Sequence, residues 1–153
     1  MTKSNRTPEG DAFAEFSISV LRLAGHLTAE GDALAKPAGQ TSARWQVLAA
    51  ADHAPMSVAD AARALGLARQ GVQRIADILE SEGLIAYRAN PAHQRAKLME
   101  LTQQGRVALS EISKRQAVWA NRLGAEFGEG RLRDAAVLLK DVIARLAHCS
   151  HTD

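Results

Sequence analysis

Between Ser57 and Thr102 the apolar positions change period twice. Ala61, Ala62 and Leu65 fall at helical spacing, and after Gly66 so do Val72, Ile75, Ala76 and Leu79, separated by three, four and seven. Ser57, with Asp60 three residues on, forms a capping-box pattern for the first of these helices. Gly66 and Gly83 supply stops, because glycine enters the left-handed region without a Cβ penalty, and the second helix is expected from about Arg69 to Glu82. Past Gly83 the pattern turns strand-like, with Leu84 to Arg88 and Lys97 to Leu101 as partners across a tip, Asn90 to Ala96, that Pro91 marks. Helical spacing returns at both ends of the chain. Phe13, Phe16, Val20, Leu23 and Leu27 step by three or four, with Leu34 one heptad further on, and Leu132, Ala135, Leu139, Val142 and Leu146 repeat the pattern after Gly128-Glu129-Gly130. Between them Leu109, Ile112, Trp119 and Leu123 mark a long helix over 103–127. The fold expected is mainly α with a small β-hairpin.

Helix, tight turn, second helix, hairpin is the order of a winged helix-turn-helix, in which the second helix enters the DNA major groove and the hairpin reaches the neighbouring backbone or minor groove. The outward face of that helix carries Arg69, Gln70, Gln73, Arg74 and Asp77. Arginine pairs bidentately with guanine and glutamine with adenine, so these are residue types that read base edges. Two arginines and two glutamines on a helix are also an ordinary solvated face; their place on the second helix of the motif, directly before a hairpin, favours docking. Arg88, Arg95 and Lys97 extend the basic footprint onto the hairpin, with Arg95 near the tip, and Ser57 and Gln46 are candidates for backbone contacts at helix ends.

Arg44-Trp45-Gln46-Val47-Leu48, Ser57-Val58-Ala59-Asp60-Ala61-Ala62, Leu67-Ala68-Arg69-Gln70, Val72-Gln73-Arg74, Leu79-Glu80 and Gly83-Leu84 follow one another in an order that continues through 90–97 and 101–106. In order and spacing the chain resembles the MarR family of bacterial transcription regulators over nearly its whole length. The resemblance implies a homodimer that binds a pseudopalindromic operator on double-stranded DNA, usually as a repressor released by a small ligand or oxidant. It also implies a division into a loose arm over 1–10, helical dimerisation segments over 11–36 and 103–148, a DNA-binding region over 41–102 and a tail over 149–153. Phe13, Phe16, Val20, Leu132, Leu139, Val142 and Leu146 are then candidates for the dimer interface, because a DNA-reading half that needs twofold symmetry favours seams shared between subunits over an intramolecular core. The family wing commonly reads Asp-Pro-x-Asp-Arg-Arg; here Asn90, His93 and Gln94 replace both acids and the first arginine, and Arg95 matches the reaching arginine. Ala68 stands where a capping Ser or Thr is frequent, and Gly71 where a small polar residue is usual. In relatives the effector site is lined by the first, second and fifth helices, which singles out Arg22, His26, Arg44 and Trp45; cations beside an aromatic suit an anionic aromatic ligand. Trp45 also fits a core position, and Arg44 a brace to a carboxylate.

Composition narrows the reading further. The chain has 153 residues, 46% of them hydrophobic, which suits one domain and excludes wholesale disorder. A net charge of +2 excludes a nonspecific polycation, so DNA affinity must come from local placement of Arg and Lys. No apolar run is long enough for a membrane span and no secretory signal is recognisable, so a cytoplasmic protein is expected. Cys149 is the single cysteine, far from the first-helix position at which the oxidation-sensing relatives carry theirs. His148, Cys149 and His151 lack a fourth ligand, and neither a metal nor a cofactor is expected. No catalytic constellation or phosphate-cradling glycine loop is present at recognisable spacing, so an enzyme is not expected. The rival reading is a winged helix used for protein contact without specific DNA binding, since a fold does not dictate its use.

Overall fold

The computed structural model describes residues 5–149, which form two compact units dividing between Ile112 and Ser113. The first unit begins with α1 (Pro8–Ala35), a short 3-10 turn (Lys36–Ala38) and α2 (Ser42–His53). It continues through β1 (Met56–Ser57), α3 (Val58–Leu65), α4 (Arg69–Ser81), β2 (Ile85–Arg88) and β3 (Leu98–Leu101) into the first part of α5 (Gln103–Phe127). The rest of α5 and α6 (Glu129–Cys149) make the second.

Helix α1 starts inside the segment expected to be a loose arm. The Thr7 hydroxyl accepts the Gly10 amide at 3.2 Å and Pro8, with its fixed φ and no amide hydrogen to satisfy, occupies the first turn, so a polar stretch becomes a capped helix start. At its other end α1 approaches α2 closely. Gly31 is buried, and a Cβ there would lie 2.7 Å from Ser42 Oγ, while the Asp32 carboxylate accepts the Ser42 amide at 2.7 Å.

The core of the first unit joins α2, α3, α4 and the sheet. Leu48, Leu79, Ile85 and Met99 are among its fully buried side chains, with Val47 and Val72 beside them. The sheet is antiparallel and three-stranded, in the order β1-β3-β2, with Met56 opposite Met99 and Ile85 opposite Leu101. The expected hairpin is thus present, shorter by Leu84 and Lys97, but β1 was not foreseen. Two residues carry no period, and β1 exists only because β3 pairs with it. Leu84, outside the strand, donates its amide to Leu79 O at 2.9 Å and so closes the end of α4, where Gly83 adopts a φ of +77°. Gly66 ends α3 at a φ of +65°, and the Leu67 amide bonds back to Ala62 O at 2.9 Å.

The hairpin runs directly into α5. Thr102 Oγ1 lies 2.6 Å from Gly83 O, to which it donates, and accepts the Gly105 amide at 3.1 Å. Gly105 packs so closely on the Leu84 carbonyl that a Cβ would fall 2.0 Å from that oxygen. In the second unit Gly128, at a φ of +87°, separates α5 from α6, and Arg133 pairs with Glu129 at 2.7 Å. None of the described helices is long and apolar enough to cross a membrane.

Candidate nucleic-acid interface

Helix α4 buries Val72, Ala76 and Leu79 and half-buries Ile75, the inward face that the apolar spacing predicts. Arg69, Gln70 and Arg74 are exposed, and their side chains make no hydrogen bond or ion pair with any described residue. The helix start is bare as well: Ala68 is the N-cap with extended φ and ψ, and no side-chain cap bonds the first-turn amides among the described residues. Gly71 is exposed and the place of a Cβ has nothing within 4 Å, so packing does not demand glycine there.

Gln73 behaves differently from its neighbours. It is half-buried, and its amide nitrogen donates to Asp77 Oδ1 at 2.8 Å and to the Tyr87 hydroxyl at 3.1 Å, while that hydroxyl itself donates to Asp77 Oδ1 at 2.9 Å. The Tyr87 phenol is pushed up to about 12 by burial and, next, by the Asp77 carboxylate, both of which disfavour a phenolate. Sequence reasoning missed Tyr87. It is the only tyrosine of the chain, and on a half-buried strand its hydroxyl requires a polar partner, which was the available signal.

At the wing tip, Asn90 Oδ1 accepts the Ala92 amide at 3.0 Å and Asn90 O accepts the His93 amide at 3.2 Å, an Asx-type turn in which asparagine serves in place of the acid usual at this position. Arg95 and Lys97 are exposed and make no side-chain pair among the described residues. Arg88 leans diagonally across the hairpin to Glu100 at 3.6 Å, a long, exposed pair of small energetic weight. A cleft of about 290 Å³ separates α4 from the wing, and Arg69, Gln73, Asp77, Tyr87, Arg95 and Lys97 all line it. Three cationic side chains thus converge on one groove, entirely within the first unit.

Ser57 also borders this cleft, but it is buried and its hydroxyl is committed: it accepts the Asp60 amide at 3.1 Å and donates to Asp60 Oδ2 at 2.7 Å. This hydroxyl and, after it, the Arg63 guanidinium hold Asp60 below the usual carboxylate range. Gln46 is exposed on α2. Of the effector candidates, Arg44 pairs with Glu82 at 3.0 Å, bracing α2 against the end of α4, and Trp45 packs against the core, the two structural alternatives open at those positions. Arg22 and His26 are exposed on α1. On α1 the Phe13 and Phe16 rings lie 6.0 Å apart, with Phe13 exposed and Phe16 and Val20 half-buried. Leu132 and Leu146 are exposed on α6, and Leu139 and Val142 half-buried. His151 lies outside the described residues, and no group of three metal-ligating side chains occurs among those described.

This geometry has counterparts among known proteins. Residues 38–96, from the turn after α1 to the wing tip, match the model of the MarR family. An uncharacterized protein of Mycobacterium tuberculosis (strain ATCC 25618 / H37Rv) is 38% identical over 136 residues, which cover 89% of this chain and 95% of that protein. The chain belongs to the MarR family. Among solved structures, the MarR family transcription regulator SP03579 superposes with a TM-score of 0.79 at 20% identity, over 95% of this chain and 97% of that one. The M. tuberculosis transcriptional regulator MosR, solved in complex with DNA, superposes with a TM-score of 0.70 at 25% identity, covering 85% and 96%. CouR from Rhodococcus jostii RHA1, solved bound to p-coumaroyl-CoA, gives a TM-score of 0.74 at 19% identity, covering 83% and 90%. SP03579 and MosR are transcription regulators, and the MarR family chain described here has the winged-helix fold of a DNA-binding transcription regulator.

Proposed function

We propose that this MarR family protein is a cytoplasmic repressor that binds a pseudopalindromic operator as a homodimer and leaves it when a small ligand binds. The observation that carries this reading is the bare outer face of α4: Arg69, Gln70 and Arg74 stand exposed without side-chain partners among the described residues, beside a groove that Arg69, Arg95 and Lys97 make cationic. A recognition helix used for protein contact would cover or neutralise such a face. In this reading Arg69, Gln70, Gln73 and Arg74 meet base edges in the major groove, Arg95 reaches into the minor groove, and Lys97 and Arg88 hold phosphates. Ser57 acts through the helix start that it caps. The MosR structure with DNA supports this use of the fold.

Dimerisation is assigned to exposed and half-buried apolar positions of the terminal helices, Phe13, Phe16 and Val20 on α1 with Leu132, Leu139, Val142 and Leu146 on α6. Twofold symmetry would set two recognition helices about one helical turn of DNA apart. The effector is an anionic aromatic among Arg22, His26, Arg44 and Trp45, a reading that CouR with its p-coumaroyl-CoA supports. A ligand carboxylate competing with Glu82 for Arg44 would loosen α2 from the end of the recognition helix, which couples ligand to DNA.

The test is binding to DNA from upstream of the protein's own gene against scrambled DNA of equal length, across salt. Preferential binding near physiological salt, with two chains per site, is expected. Equal binding to both duplexes that vanishes with salt would reject that operator, and the same result across a genomic fragment library would reject sequence-specific DNA recognition.

A further inference from the structure

Gln73, Asp77 and Tyr87 form one hydrogen-bonded cluster that joins α4 to the wing. Tyr87 sits on β2, yet its hydroxyl bonds side chains of the recognition helix, donating to Asp77 Oδ1 and accepting from the Gln73 amide nitrogen. The two acceptors of that nitrogen lie 2.9 Å apart, so from 2.8 and 3.1 Å away they subtend a far smaller angle than the two N–H bonds of an amide. One N–H is therefore shared between them. The other N–H and Oε1 remain available, and Oε1 makes no hydrogen bond with any described residue. One donor beside one acceptor on a planar carboxamide is the pair that recognises adenine N7 and N6. A free glutamine must be ordered before it reads a base, at a cost in rotamer entropy. Here the ordering is built in, because Asp77 and Tyr87 hold the carboxamide through its nitrogen.

Resting on the DNA-binding reading above, we propose that Tyr87 is a positioning residue that aims the Gln73 carboxamide, so that the wing sets the adenine preference of the recognition helix. Tyr87 touches no base; it acts through Gln73.

The test is selection of binding sites from randomised duplexes by the full-length protein and by Gln73→Ala, Tyr87→Phe and the double variant. Phenylalanine keeps the half-buried ring and removes only the hydroxyl, and unchanged melting curves verify the fold. The native protein is expected to select adenine at one position of each half-site. Gln73→Ala abolishes that preference, Tyr87→Phe weakens it roughly tenfold at that position alone, and the double variant matches Gln73→Ala. A Tyr87→Phe protein whose base preferences are unchanged, with affinity lowered uniformly or not at all, overturns the proposal, since the hydroxyl would then only brace the wing. A Gln73→Ala protein with native preferences overturns it too, because Gln73 would not read. Selection of no consensus by the native protein would instead reject the DNA-binding reading on which the proposal rests.

Discussion

Arg74 and Gln73 are one position apart on the same helix, yet they are in different physical states. Arg74 is exposed and makes no side-chain pair among the described residues, whereas Gln73 is tied to Asp77 and Tyr87. Substituting Arg74 by Ala should weaken binding to the operator by about tenfold to a hundredfold and relax preference at one base pair, as loss of a bidentate guanine contact does. Arg95→Ala should lower affinity less; a protein with unchanged affinity for the operator would show that the wing does not touch that DNA. Tyr87 makes a second expectation. Its folded pKa, about 12, lies above the ordinary value of 10.0, so the folded state holds the phenolic proton more tightly than the unfolded chain. The stabilisation is complete below pH 10 and is lost as pH rises through the interval up to about 12. Melting curves across that range should show a fall in stability that Tyr87→Phe reduces; an identical fall in the variant would place its source elsewhere. Both arginines are legible in the sequence as residue types. The state of Gln73 is not, because its partner Tyr87 lies on the hairpin beyond the helix and meets it only after folding.

Helix ends carry a different kind of information. Ser57, Gly66 and Gly83 act where the local pattern puts them, since caps and left-handed stops depend on residues three or four positions away. Ala68 leaves α4 without a side-chain cap, so Ala68→Ser should stabilise the protein by about 1 kcal/mol, read as a raised denaturation midpoint. A midpoint that stays put would mean that first-turn amides are already satisfied by water. Gly105 behaves in the opposite sense. Its missing Cβ would meet the Leu84 carbonyl at 2.0 Å, so Gly105→Ala must push α5 from the hairpin, at a cost of about 1–3 kcal/mol. A neutral substitution there would disprove the close approach. Nothing around Gly105 in the sequence distinguishes it from Gly71, where a Cβ has open space, because the distinction lies in a backbone twenty-one residues upstream. The same holds for β1, whose two residues are a strand only through β3.

At the scale of the whole chain, the terminal helices leave apolar side chains exposed. Phe13, Leu23 and Leu27 on α1 and Leu132, Val137, Leu138 and Ile143 on α6 are exposed, and large exposed apolar patches mark interaction surfaces. In the dimer reading, light scattering should give twice the chain mass. Leu132→Glu combined with Leu139→Glu should halve it and abolish operator binding along with it, since each half-site contact alone is weak. A double variant that keeps the native mass would move the interface off α6.

Residues close together in the chain settled the helices of the turn motif, their stops and the hairpin, because helix periodicity, caps and turns are decided within a few positions of backbone. The family resemblance was legible for the same reason, being a matter of order and spacing. Pairing across the chain was decided elsewhere. That β3 takes β1 as a second partner, that Arg44 meets Glu82, that Gly105 rests on Leu84 O and that Tyr87 holds Gln73 are contacts between residues far apart in sequence. Such contacts form only when the core of Leu48, Leu79, Ile85 and Met99 draws α2, α4 and the sheet together. That burial fixes which polar groups become neighbours, and those neighbours determine which donors and acceptors remain unused among the described residues.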